Sequence, residues 1–312
     1  MIGKLSSVST IVIGIGGAGG NIVKDIMDCG PVHVINTVAK ELPPERDNLR
    51  TYVVGNGEGK GGDRRRNRGE TLDPMLKIID NIDLDGKAVI LCGSGSGGTA
   101  SGSMPFVHAH LVKKGVPTLS VLITDARDRE QAAGSLNTFK TYLGLAQKSG
   151  DKYSVSEYSN LHDSTAVVND KAVTMIRTIA CLTSADTENI DFGDVKLFLN
   201  PGLYSASSEV VASSIQIVMA ANLSNESETE EIVNLLPSMA RFIGPDDNRP
   251  NIDFQALTHG GKQGISPAVE NHMAALSMAG MANTKIAKLQ EALDKFSILE
   301  LEKEEEINLD DL

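Results

Sequence analysis

The residues best placed to do chemistry are glycines with hydroxyls among them. Gly14-Ile-Gly-Gly-Ala-Gly-Gly-Asn21 follows a β-branched run and opens a helical stretch, and Ser96-Gly-Gly-Thr-Ala-Ser-Gly-Ser103 follows the apolar run Ala88–Cys92 in the same way. Glycine lets main chain come close to a ligand, and backbone N–H groups at a helix N-terminus are complementary to phosphate oxygens. Gly97, Gly98, Thr99, Ala100, Ser101 and Gly102 therefore form one candidate phosphate cradle, to which Thr99 and Ser101 add hydroxyl donors. Gly16, Gly17 and Ala18 form a second. The third cluster, Gly55 to Gly62, is not a P-loop, because Gly59-Lys60 is followed by Gly61 where Ser or Thr is needed.

Taken alone, Gly14, Gly16 and Gly19 match a dinucleotide fingerprint. A Rossmann-type oxidoreductase would also need an acid about 20 residues on, to hold a ribose hydroxyl. The second strand ends instead in Ile35-Asn36-Thr37, which leaves that alternative without its acid. His108 and His110 are two apart, so on a helix they point in different directions and make no metal clamp. Cys29, Cys92 and Cys181 are odd in number and widely spaced, which argues against a disulfide framework or zinc site and for a reducing compartment.

The elements that must carry these loops alternate. Val8–Ile13, Val32–Ile35, Tyr52–Val54, Ala88–Cys92 and Val116–Thr124 read as strands, and Asn21–Cys29, Glu70–Ile82, Pro105–Lys114 and Glu130–Lys148 as helices. Uniformly apolar strands separated by helices predict an α/β fold with a parallel sheet covered on both faces. Thr165–Thr183 is long, amphipathic and free of glycine, as a central helix should be. Beyond it the signals mix: Ser214–Ala221 and His272–Gly280 read as strands, Glu228–Phe242 and Asn283–Phe296 as helices, together a smaller α+β region. With 29 basic against 41 acidic residues the net charge is −12, which disfavours a broadly basic nucleic-acid surface. Residues 300–312 alone carry seven acids and one lysine, half of that net charge, so the chain ends in an acidic tail. No apolar run approaches the roughly 18–20 residues of a membrane span.

Residues 96–102 resemble the tubulin signature Ser/Ala/Gly-Gly-Gly-Thr-Gly-Ser/Ala-Gly at every position except Ala100, which replaces glycine. Gly14–Asn21 resembles the first nucleotide loop of FtsZ, Val34-Ile-Asn-Thr37 the second, and Val168-Asn169-Asp170 the base-reading position. Asn189-Ile-Asp191-Phe-Gly-Asp194 resembles the loop that a neighbouring subunit inserts to complete the active site. The chain is thus similar to the tubulin/FtsZ superfamily over residues 8–200. Its length, its acidic tail and the Gly-Gly-Asp-Arg-Arg run at 61–65 resemble the phage tubulins of the PhuZ type.

That resemblance implies a GTPase that polymerises head to tail into cytoplasmic filaments, positioning or transporting phage cargo in an infected bacterium. A non-polymerising nucleotide-binding regulator is the other alternative, against which the intact 189–194 loop speaks. The resemblance further implies a GTP-binding domain over residues 1–164, a connecting helix over 165–185, a C-terminal domain over 186–282 and a helix with its tail over 283–312. It assigns Asp191 and Asp194 to catalysis, Asn21, Asn169 and Asp170 to guanine and Glu130 to the ribose. The cofactors it implies are GTP or GDP, with magnesium held mainly by phosphates and water and no protein metal site. The implied partners are further copies of the chain, with the acidic tail contacting the neighbouring subunit, and neither membrane nor nucleic acid. Arg64, Arg65, Arg66 and Arg68 are left with three readings: a contact to the γ-phosphate, a dock for an acidic partner, or a solvated helix face.

Overall fold

The computed structural model describes residues 9–59, 64–161, 163–184, 212–219, 238–246, 249–256, 273–279 and 287–296, with Val195, Lys196 and Leu199. Six parallel strands form the first part of one sheet. β1 (Ser9–Ile15), β2 (Val32–Asn36) and β3 (Leu49–Val53) spread to one side, and β4 (Lys87–Ser94), β5 (Thr118–Thr124) and β6 (Tyr153–Ser159) to the other, with β1 against β4. The helices are α1 (Gly16–Lys24), α2 (Arg64–Asp80), α3 (Gly98–Lys113), α4 (Arg129–Ser149) and α5 (Thr165–Ser184).

Side-chain alternation in β1 explains the layering. Val12 packs with Ile22 of α1, Ile26 just after that helix and Ile176 of α5. Ile11 and Ile13 face the other way, towards Met75 of α2, Met104 of α3 and Phe139 of α4. A strand buried on both faces has to be apolar along its length, as this one is from Ile11 to Ile15. Each fully buried aliphatic side chain contributes about 1.5–3 kcal/mol, and such side chains crowd β1 and β4, the two strands from which the glycine clusters emerge. Among the described residues no helix is long and apolar enough to cross a membrane.

The sheet continues beyond β6. β7 (Ala212–Met219) pairs parallel with β6 through Tyr153 and Ala212. β8 (Ser238–Asp246), β9 (Arg249–Ala256) and β10 (Met273–Ala279) follow antiparallel, giving the order β3-β2-β1-β4-β5-β6-β7-β10-β8-β9. A sixth helix, α6 at residues 287–296, buries Leu289 and Ala292 in the α2–α4 layer.

Three expectations need correction. The stretch read as helix over Glu228–Phe242 is strand from Ser238, where pairing with β9 and β10 overrides the helical spacing of Met239 and Phe242; residues 228–237 lie outside the described residues. β6 was not foreseen, because Ser154 and Ser156 are buried in it and erase the apolar pattern. The first two glycine clusters are also less loop-like than expected: α1 starts at Gly16 and α3 at Gly98, so those glycines form first helical turns. The acidic tail, residues 300–312, lies outside the described residues.

Candidate functional site

β1 and β4 are neighbours, yet the chain leaves them in opposite directions along the sheet. Such a reversal opens a crevice outside the carboxyl ends of the strands. A cavity of about 340 Å³ lies there. Gly16, Gly17 and Ala18 line one side, Gly97, Gly98, Thr99 and Ala100 another, and Asn36, Thr37, Glu41, Glu58 and Gly59 close it from the β2 side. A second cavity, of about 320 Å³, lies at the opposite end of the sheet beside Ile79, Asp80, Lys87 and Lys114. There α2 and α3 end, so helix carbonyls rather than amides gather around it.

What the first cavity offers is unpaired N–H groups. Ile15 and Gly97 precede α1 and α3, make no side-chain capping bond, and neither helix has an acid in its first turn. In α3 the helical ladder starts with Ser101 N donating to Gly97 O at 3.1 Å, so the amides of Gly98, Thr99 and Ala100 come before it. α4 differs: the Asp128 side chain caps it by accepting from Gln131 N at 2.8 Å. Two helix N-termini left open on one cavity make a strong anion site.

Close packing brings the two helix starts together. Gly16 has φ +73°, and a Cβ there would lie 3.3 Å from Thr99 Cβ. A Cβ on Gly19 would lie 2.4 Å from the Cys92 carbonyl oxygen, so only glycine lets α1 sit this near β4. Burial pushes the Cys92 thiol up to about 12, which keeps it a neutral donor to Gly19 O at 3.8 Å. The hydroxyls of Thr37 and Thr99 are paired at 2.8 Å, tying the end of β2 to α3. Ala100, the departure from the signature, lies inside α3, and its methyl comes within 2.7 Å of where a Cβ on Gly93 would stand. The methyl that the signature lacks is thus accommodated by the glycine opposite.

Glu41 adds a carboxylate to the wall. Its Oε2 accepts from Asn36 Nδ2 at 3.0 Å and lies 2.9 Å from where a Cβ on Gly17 would be. Its charge offsets part of the pull that the two helix N-termini exert on an anion, and Glu41 with the Thr99 hydroxyl offers oxygen donors of the kind magnesium takes beside phosphates and water. Among the described residues no group of three or more His, Cys, Asp and Glu side chains is placed to hold a metal by itself.

No family model matches the chain. It is 22% identical to cell division protein FtsZ 1 of Pyrococcus horikoshii over 61% of this chain and 55% of that one, so it spans about half the length of that relative. Among solved structures it resembles the phage tubulin PhuZ with GDP, at a TM-score of 0.75 and 15% identity, covering 95% of this chain and 93% of that one. It resembles a protofilament of TubZ from bacteriophage PhiKZ at 0.74 and 15%, covering 94% and 92%. For an FtsZ dimer from M. jannaschii the values are 0.62 and 17%, covering 88% and 89%. The fold is that of the tubulin/FtsZ superfamily.

Within this tubulin-type fold the expected site residues separate into groups. Gly16, Gly17, Ala18, Gly97, Gly98, Thr99 and Ala100 line the cavity. Ser101 and Gly102, a turn deeper in α3, do not, and Ser101 Oγ is buried without a partner. Asn21 is exposed on α1 and accepts from Lys24 Nζ at 3.1 Å. Half-buried Asn169 and exposed Asp170 stand near the start of α5, which packs against α1, with Val168, Ala172 and Ile22 in one buried cluster. Glu130 is exposed in the first turn of α4. Asp191 and Asp194 lie outside the described residues. Sequence reasoning missed Glu41 and Glu58, since isolated acids after a strand end read as surface, and it named Thr37 only as part of a loop.

Proposed function

We propose that the chain is a GTP-binding, GTP-hydrolysing tubulin-like protein that assembles head to tail into cytoplasmic filaments. The observation that carries this reading is the convergence of two uncapped helix N-termini on one cavity at the switch point of a tubulin-type sheet. In this reading the amides of Gly16–Ala18 and Gly98–Ala100 hold the phosphates, with Gly97, Ser101 and Gly102 completing the second loop. Asn21, Asn169 and Asp170 read guanine across the α1–α5 seam, and Glu130 serves the ribose. Glu41 and Thr99 are the residues that would face a magnesium ion, which when bound would neutralise phosphate charge.

Asp191 and Asp194 are assigned to hydrolysis. A carboxylate beside the γ-phosphate orients the attacking water, a positioning role rather than covalent chemistry. Supplied by the next subunit, the pair makes turnover depend on assembly. The division into residues 1–164, 165–185, 186–282 and 283–312 gives the nucleotide to the first part and the inserted loop to the third. A protofilament of TubZ and an FtsZ dimer among the solved neighbours support self-association as the use of this fold. The acidic tail is read as a clamp on the neighbouring subunit, and the filaments as positioning or transporting phage cargo in a host bacterium.

Negative-stain microscopy of purified protein tests the assembly. Filaments should form with GTP and be absent without it, and deletion of Glu300–Leu312 should leave GTP binding intact while raising the concentration needed to assemble. GTP bound without filaments at any concentration would reject polymerisation, and an unchanged threshold for the truncated chain would reduce the tail to a solubility device.

A further inference from the structure

An arginine in the first turn of a helix opposes the helix dipole. α2 nevertheless opens with Arg64 and carries Arg68 a turn later. Neither side chain simply points into solvent. Arg68 lies over the Phe106 ring of α3, 5.1 Å from its centroid. Arg64 is half-buried: its Nε donates to the Ser101 carbonyl at 2.8 Å and its Nη2 to Thr141 Oγ1 at 2.5 Å. One guanidinium thus joins α2, α3 and α4.

The acceptor in α3 explains why an arginine is there. A helical carbonyl normally receives the N–H four residues on, and four residues after Ser101 stands Pro105, which has none. Ser101 is 1% exposed, so bulk water does not reach it. An acceptor buried without a partner is costly, and Arg64 removes that cost. Gly102 makes the approach possible, since a Cβ there would lie 2.7 Å from the Arg64 carbonyl oxygen. Thr141 completes the bridge: its hydroxyl donates to Asn137 O at 2.8 Å and keeps a lone pair for Nη2. One turn before Ser101 come Gly98, Thr99 and Ala100, whose amides open on the cavity.

We propose that Arg64 is a positioning residue of the nucleotide site: it supplies the hydrogen bond that Pro105 withholds from Ser101, and so fixes the first turn of α3 at the angle where its amides meet phosphate oxygens. The inference rests on the nucleotide reading above. Its signature is dependence on phosphate. A ligand held by α3 amides should lose affinity when Arg64 is removed, whereas one held only by base and ribose should not.

The test measures Kd for GTP, GDP and guanosine on full-length wild type and on Arg64→Met, Pro105→Ala and the double variant, with protein dilute. Arg64→Met should weaken GTP and GDP about tenfold, the worth of one charge-assisted hydrogen bond, and guanosine less than about twofold. In the Pro105→Ala background the new N–H can serve Ser101, so the same substitution should cost clearly less; that non-additivity is the coupling. Should Arg64→Met not fold, Arg64→Lys, which lacks the two-point fork, carries the same comparison. Equal losses for guanosine, GDP and GTP, unchanged Kd values, or strict additivity would each overturn the proposal. If wild type binds none of the three, the nucleotide reading fails and this proposal with it; if wild type binds and the variants match it, only this proposal fails.

Discussion

A carboxylate can accept from both N1–H and the exocyclic amine of guanine, whereas adenine offers no donor at N1. In the proposed reading Asp170, exposed near the start of α5 beside α1, is the residue whose loss should separate the two bases. Asp170→Ala is expected to weaken GTP by about 1–3 kcal/mol and to leave the much weaker ATP binding unchanged, as read by titration calorimetry. Equal affinity of the wild type for ATP and GTP would remove the guanine reading. Single residues were unevenly legible in the sequence. The spacing of Gly14, Gly16 and Gly19 announced a strand-to-helix turn, because a positive φ at Gly16 and the contact of Gly19 with Cys92 O leave no other residue type possible. Arg64 was not legible. Its acceptor is created by a proline 41 positions away, and nothing local to 64–68 signals an unpaired carbonyl in another helix.

At the scale of elements, α3, α4 and β5 share a buried polar seam. His108 Nδ1 lies 2.8 Å from Ser120 Oγ, Tyr142 OH donates to the same oxygen at 2.7 Å, and the rings of Tyr142 and Tyr153 meet His108 edge-on. Burial lowers His108 to about 3, against a backbone contact at Thr118 that raises it, so the imidazole is neutral in the fold. The unfolded chain takes up that proton near its ordinary 6.5. Stability is therefore fully present above about pH 6.5 and falls as the pH drops from there towards 3, by about 2 kcal/mol between pH 7 and pH 5 from this group. Urea unfolding at pH 7 and pH 5 should show His108→Gln to be less pH-sensitive than wild type by that amount; identical slopes would show that His108 does not stay neutral. The same seam shows what element-level patterning cannot reveal. β4 and β5 were evident as apolar runs, but β6 buries Ser154 and Ser156 beside the seam, and buried serines look like exposed ones in a sequence. The start of the strand Ser238–Asp246 was read as the end of a helix over Glu228–Phe242 for a related reason: short apolar spacings suit both periods, and pairing with β9 and β10 decides between them.

At the scale of the whole molecule, the sheet order places the reversal between β1 and β4 where both open helix N-termini converge. Order along the chain fixed which loops could meet, while the direction in which strands were added, which no periodicity encodes, set where they meet. In the proposed reading this site holds phosphates, and its cavity-lining residues offer no candidate general base beyond Glu41 and Glu58, whose carboxylates stand on the β2 side. Turnover by this account draws on Asp191 and Asp194 of an adjoining copy. The most direct test is the rate of GTP hydrolysis per subunit across a dilution series. The account predicts negligible turnover when dilute and a steep rise above an assembly threshold, with Asp191→Ala and Asp194→Ala binding GTP normally but not turning it over. A per-subunit rate that stays constant through dilution, or wild-type rates in both variants, would contradict it.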